Sequence, residues 1–184
     1  MTHHLVVTQN MTLDGRIEFL DTWFDPTMKY GDNTDVLEEM DRQGRECAGM
    51  LLGRKTFEEF RGYWPQHEDE PAGASLARLN KYVVSRTLGD PAWQRSTVLS
   101  GDPLEEVRSL KNGGDGDLVV TGSITLTHAL FDAGLVDEVR LFVYPAIQGR
   151  GRGLVDESIS LYGLTLLESR SFRGGVTLLR YAVG

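Results

Sequence analysis

The chain has 184 residues, a formal net charge of −8, and 40% apolar against 25% charged residues, which is enough for a real hydrophobic core in an ordinary soluble globular protein. The negative balance argues against nucleic acid or an anionic membrane as the partner, and no apolar run is long enough to span a bilayer. A single cysteine, Cys47, excludes an intrachain disulfide, and the residues after Met1 lead straight into a strand with no signal-peptide pattern, so a cytoplasmic location is expected.

Leu5 to Asn10 reads as a buried first strand that stops at Met11-Thr12-Leu13-Asp14-Gly15-Arg16, where Asp-Gly signals a turn. Ile17 to Asn33 has no clear period but carries Trp23, Phe24, Pro26 and Tyr30, the pattern of a long aromatic loop. Asn33 or Thr34 then caps a helix running to about Glu46. A short strand, Ala48 to Leu52, feeds a second helix through Gly53-Arg54-Lys55-Thr56. Two cations in a first turn oppose the helix dipole; an anionic ligand would relieve them, or both side chains swing to solvent.

Gly62 to Gly73 reads as a polar connection, and Ala74 to Leu79 as a short helix. Lys81 to Thr87 is a strand ending in Ser85-Arg86-Thr87, a trio that can hold a phosphate through the planar fork of arginine. Thr97 to Leu99 is a brief strand, and Pro103 to Lys111 a helix with proline in its first turn.

The stretch from Asp117 to Arg152 carries the strongest plan. It reads as a strand (Leu118 to Val120), a tight turn (Thr121-Gly122-Ser123), a helix (Ile124 to Ala133) and a second strand (Val139 to Tyr144). A glycine-arginine loop follows, in which Arg150 and Arg152 could make a local basic pocket. Asp137 and Glu138, at the start of the second strand, suit structural roles. Leu164 to Ser171 and Val176 to Val183 close the chain as an antiparallel hairpin, whose apolar positions would suit a dimer interface. The whole is an α/β fold over residues 1–184, with a mostly parallel central sheet, an antiparallel C-terminal hairpin and helices on both faces.

Gly53 to Thr56, Ser85 to Thr87 and Gly122-Ser123 all fall at strand C-terminal ends, the edge where open α/β sheets bind ligands. Together they suit a dinucleotide, with backbone amides on the pyrophosphate and cations on a further phosphate. Neither G-x-G-x-x-G nor G-x-x-x-x-G-K-[ST] is present. His3, His4, His67 and His128 lack ligand-like spacing, and Cys47 reads as a small hydrophobe, so neither metal nor nucleophilic chemistry is expected. Asp14 has two readings: it caps its own turn, or it serves a ligand beside the aromatic loop.

The order of these motifs, with Gly134-Leu135-Val136-Asp137-Glu138-Val139-Arg140-Leu141 among them, resembles the dihydrofolate-reductase-like superfamily. The branch is that of the C-terminal reductase domain of the bacterial bifunctional riboflavin-biosynthesis deaminase/reductase and its stand-alone relatives. The resemblance implies an NADPH-dependent reductase, often a homodimer, acting on a pterin- or pyrimidine-like heterocycle, with 5-amino-6-(5-phosphoribosylamino)uracil as the riboflavin-pathway substrate. It implies that Gly53, Arg54, Lys55 and Thr56 meet cofactor phosphates. Ser85 and Arg86, with Thr87 beside them, would hold the adenosine 2′-phosphate, and Gly122 and Ser123 would admit the pyrophosphate. Thr12, Asp14 and Gly15 would line the boundary between nicotinamide and substrate, with Asp14 the first candidate for proton donor. Pyrimidine reductases typically carry Glu-Gly-Gly where this chain has Thr121-Gly122-Ser123, and no zinc-deaminase motif occurs in the chain. On the helix where dihydrofolate reductases carry an acid, Leu37 stands near that place with Asp35 and Glu38 beside it. A non-catalytic nucleotide-binding or sensor protein on the same fold is the alternative, and hydride transfer discriminates the two.

Overall fold

Alternation along the strands sorts the apolar residues onto the two faces of one sheet. The computed structural model describes residues 2–20, 32–155 and 163–184. Its elements run β1 (His4–Thr12), α1 (Thr34–Glu46), β2 (Cys47–Gly53), α2 (Arg54–Tyr63), α3 (Pro71–Arg78), β3 (Asn80–Val84), β4 (Ser96–Leu99), α4 (Pro103–Asn112), β5 (Asp117–Val120), α5 (Ile124–Asp132), β6 (Glu138–Tyr144), β7 (Leu164–Ser171) and β8 (Thr177–Val183). The strands form one sheet in the order β4-β3-β2-β5-β1-β6-β8-β7. From β4 to β6 all neighbours are parallel; β8 and β7 join antiparallel at the far edge.

On one face, Leu5, Val7, Leu51, Leu118, Val120 and Val139 pack against Val107 of α4 and Leu126, Leu130 and Phe131 of α5. The other face is covered in two patches. Met50, Leu52 and Val83 receive Phe57 of α2, while Phe142, Tyr144 and Leu178 receive Val36 of α1. A fully buried side chain of this size stabilises by about 1.5–3 kcal/mol, so these stripes fix which face each helix covers.

Two expectations are corrected. The stretch from Gly62 to Gly73 is more ordered than a polar connection: α2 reaches Tyr63, a 3-10 turn spans Trp64–Gln66, and α3 begins at Pro71. Pro71 fits the first helical turn because its missing N–H is not needed there. Gly73 then packs so closely on the His67 carbonyl that a Cβ would sit 2.0 Å from that oxygen. The third strand ends at Val84, because Ser85 turns the chain, its Oγ accepting from the N–H groups of Thr87 (3.2 Å) and Leu88 (3.0 Å). Lys81 of that strand is wholly buried, with its ammonium on the carbonyls of Leu79 (2.8 Å) and Gln94 (3.2 Å) and over the Trp93 ring. Of the aromatic loop, residues 21–31 lie outside the described residues.

Glu138 has the structural role expected of it. Its buried carboxylate receives Arg140 Nε and Arg180 Nε, each at 2.7 Å, and Arg140 reaches on to Asp117 at 2.6 Å. This network ties β5, β6 and β8 together at the sheet end remote from the glycine turns.

Candidate active site

The sheet order decides which turns are neighbours. Reading across β3-β2-β5-β1, the C-terminal ends present Ser85 to Thr87, then Gly53 to Thr56, then Thr121 to Ser123, then Thr12 to Arg16. Motifs far apart in sequence thus line one edge, as parallel strands require.

The two central turns touch. Gly53 N donates to Gly122 O at 3.2 Å. Gly122, at φ +147°, lies so close to Thr56 that a Cβ there would meet Thr56 Oγ1 at 2.9 Å. The Gly122–Ser123 peptide is cis. Both glycines are buried, and a Cβ at either would meet a side chain of the other turn, so both positions suit glycine. Two helix N-termini stand here side by side, α2 starting at Arg54 and α5 at Ile124, and neither has an acidic residue in its first turn. Ser123 Oγ caps α5 by accepting from Leu126 N, whereas Gly53 offers α2 no side-chain cap. The α2 N–H groups and dipole are those of an anion site. Arg54 is exposed and reaches Glu58 at 3.2 Å; Lys55 is exposed beside it.

Next to this pair, Ser85 is buried and uses its Oγ to build the turn, so Arg86 is the outward-facing donor of the trio, with Thr87 exposed beside it. Arg86 lies 3.9 Å from Asp102.

On the other side, β1 outruns β5. The ladder between them ends at Val7 and Val120, while β1 continues beside β6 to the pair Thr12–Tyr144. Thr8 Oγ1 and Gln9 Nε2, just past the divergence, are buried without a hydrogen-bond partner among the described residues. Sequence reading missed them because polar residues inside a strand give no motif; the register places them just past the end of the β1–β5 ladder, on opposite faces of the sheet. Orphaned buried polar atoms are uncommon, and a ligand amide or hydroxyl would satisfy them.

Thr12 and Gly15 build the turn after β1. Thr12 Oγ1 accepts from Arg16 N at 2.9 Å, and Gly15 takes φ +80°. Asp14 leaves that turn and accepts from Gln148 N (3.1 Å) and Gly149 N (2.8 Å) in the loop after β6. The Thr12 hydroxyl and these two amides hold its carboxyl down to about 2. Asp14 is ionised at neutral pH and functions here as a clasp. Its neighbours reinforce the clasp: Arg152 binds Glu18 at 2.7 Å, and Arg16 Nη1 donates to Gly151 O at 3.1 Å. The basic pocket expected from Arg150 and Arg152 is corrected accordingly, since Glu18 neutralises Arg152.

The chemistry elsewhere is quiet. Burial pushes the Cys47 thiol up to about 11, so it is no nucleophile at neutral pH. Among the described residues no group of His, Cys, Asp and Glu could hold a metal ion, and no helix is long and apolar enough to cross a membrane. His128 packs on the loop, its Nε2 3.1 Å from Gly153 O.

Comparison with known proteins agrees with this geometry. Residues 3–178 match the family described as RibD C-terminal domain. The chain is 31% identical to the uncharacterised protein YyaP of Bacillus subtilis, over 96% of this chain and 93% of that protein. Among solved structures, a candidate riboflavin biosynthesis protein from Shewanella sp. PV-4 superposes with a TM-score of 0.76 at 19% identity, covering 100% of this chain and 99% of that one. Dihydrofolate reductase from Enterococcus faecalis, complexed with NADP(H) and RAB-propyl, superposes at 0.61 and 14% identity, covering 100% and 99%. The dihydrofolate-reductase-like fold expected from the sequence is the fold observed.

Proposed function

We propose, from the premise that the chain belongs to the RibD C-terminal domain family, that it is an NADPH-dependent reductase of a small pyrimidine- or pterin-like heterocycle. The riboflavin-pathway aminouracil is the first substrate to try. The observation that carries the reading is the contact between the Gly53 and Gly122 turns, which sets two acid-free helix N-termini side by side. The NADP(H) complex of the Enterococcus reductase supports it by fold.

In this reading Gly53, Thr56, Gly122 and Ser123 admit the pyrophosphate, and Arg54 and Lys55 neutralise it. Arg86, held out by the turn that Ser85 builds and flanked by Thr87, meets the 2′-phosphate. Thr8 and Gln9 flank the nicotinamide end from opposite faces of the sheet, a role suggested by their orphaned polar atoms. The bound cofactor supplies the hydride, so the chain needs no nucleophile and works by position and electrostatics. Asp14, Thr12 and Gly15 shape the boundary with the substrate. Asp14 acts there as a positioning residue, because a carboxyl held at about 2 has no proton to give at neutral pH. An ordered water delivers the proton.

The exposed apolar residues of edge strand β7, Leu164, Leu166 and Leu167, favour a homodimer formed through that edge. The test of function is loss of reduced-nicotinamide absorbance with a panel of aminopyrimidines and pterins. Substrate-dependent oxidation of NADPH is the expected result. Tight NADPH binding with no oxidation across the panel would favour the sensor alternative.

A further inference from the structure

The helix N-termini along this edge differ in charge. α2 and α5 have no carboxylate in their first turns, whereas α4 has Glu105 and Glu106 there and is capped by Asp102. β4 lies next to β3, and Ser85 N donates to Leu99 O at 3.0 Å, so the start of α4 stands beside the Ser85-Arg86-Thr87 turn. Asp102 Oδ1 accepts from Leu104 N (3.1 Å) and Glu105 N (3.2 Å), which anchors the carboxylate. Its other oxygen, Oδ2, lies 3.9 Å from Arg86 Nη2, and the two side chains are 60% and 67% exposed. An exposed pair of this kind is weak, so a ligand displaces it readily.

A cation and an anchored anion thus flank one spot, and they want different ligands. Arginine presents a fork of donors suited to a phosphate. A carboxylate beside a dinucleotide ribose accepts from free hydroxyls and repels a phosphate. We propose that Asp102 is a specificity-determining residue that opposes Arg86, weakening NADPH through repulsion of the 2′-phosphate and strengthening NADH through its ribose hydroxyls. The inference rests on the cofactor reading above and deepens it. Its consequence is a protein that discriminates between the two cofactors only modestly, although Arg86 alone would select NADPH.

The test is Asp102→Asn, which keeps the Oδ1 acceptor and so the cap, since Asn and Asp are comparable at that position. Asp102→Ser is a second variant that also caps. Wild type, both variants and Glu105→Gln are titrated with NADPH and with NADH by nicotinamide fluorescence, with thermal melts to confirm folding. Glu105 is the charge control, because it lies in the same turn, is 73% exposed and pairs with Arg108 at 2.8 Å. Removing the Asp102 charge is expected to tighten NADPH roughly three- to tenfold and weaken NADH by about two- to fivefold, the scale of one unit charge near a solvated phosphate. Glu105→Gln is expected to move the NADPH/NADH ratio by less than about twofold, being screened and paired. An unchanged ratio in both Asp102 variants, or an equal shift in Glu105→Gln, would overturn the inference while leaving the cofactor reading intact. Wild type that binds neither nucleotide would overturn the cofactor reading and this inference with it.

Discussion

A Cβ built on Gly53 would lie 2.4 Å from Ser123 Oγ and 2.9 Å from Ser123 Cβ, so the turns that end β2 and β5 are in direct contact. Gly53→Ala must therefore push them apart. We expect a stability loss of about 1–3 kcal/mol, the usual cost of overpacking, and NADPH binding weakened at least about tenfold. The double variant Gly53→Ala/Ser123→Gly removes the obstructing hydroxymethyl group and is expected to recover much of the stability. Denaturant melts and nicotinamide fluorescence check both; a Gly53→Ala protein with wild-type stability and binding would mean that the turns are not in contact.

Asp14 ties the turn after β1 to the amides of Gln148 and Gly149. Asp14→Asn keeps at most one of those acceptors. Faster amide exchange in residues 146–153 and a several-fold lower kcat are expected, with the pH dependence of kcat unchanged. Disappearance of an ionisation from that profile would assign proton transfer to Asp14 after all.

Acid should destabilise the protein through its clamped carboxylates. Glu39 is a buried residue of α1, where Arg42, then Gln43, holds its carboxyl down to about 2, and Arg170 of β7 adds a bond at 3.0 Å. The folded value lies below the unfolded one. The contribution is therefore full above about pH 4.5 and lost as pH falls towards about 2, with Asp14 moving in the same direction. Glu39→Gln is expected to cost about 1–3 kcal/mol at neutral pH and to flatten the acid limb of the stability curve. Denaturant unfolding at several pH values between neutrality and acid measures both; a variant whose acid limb matches wild type would contradict the assignment.

Leu164, Leu166 and Leu167 leave an apolar edge on β7. Sedimentation should show a homodimer, and Leu166→Glu should shift it towards monomer without unfolding the sheet, because that residue is 55% exposed. A monomeric wild type would exclude this edge as a self-association surface.

The fold was legible where apolar runs were bounded by turn residues. Leu118 to Val120 and Val139 to Tyr144 are such runs, with a helix-like stretch from Ile124 to Ala133 between them, and the observed elements match them to within a residue. The stretch from Gly62 to Gly73 was opaque because its order comes from Trp64 packing on the α2 patch and from the Gly73–His67 contact, neither of which has a local signature. The uncapped start of α2 was legible, since Gly53 before a helix has no side chain to cap it. Which turns would touch was not legible, because it depends on strand order. The same holds for Lys81 and for the partners of Asp14 and Asp102, whose roles are set by residues at 13 to 135 positions' remove or by an adjacent strand.

The central claim is that the β3-β2-β5 edge binds a nicotinamide dinucleotide, and its most direct measurement is fluorescence titration of the purified protein with NADPH and NADH beside Arg86→Ala. The account predicts saturable binding of NADPH, weakened by Arg86→Ala at least about tenfold, with NADH affected far less, because only NADPH brings a phosphate to that arginine. Absence of saturable binding by either nucleotide, or an Arg86→Ala protein that binds both as wild type does, would contradict it.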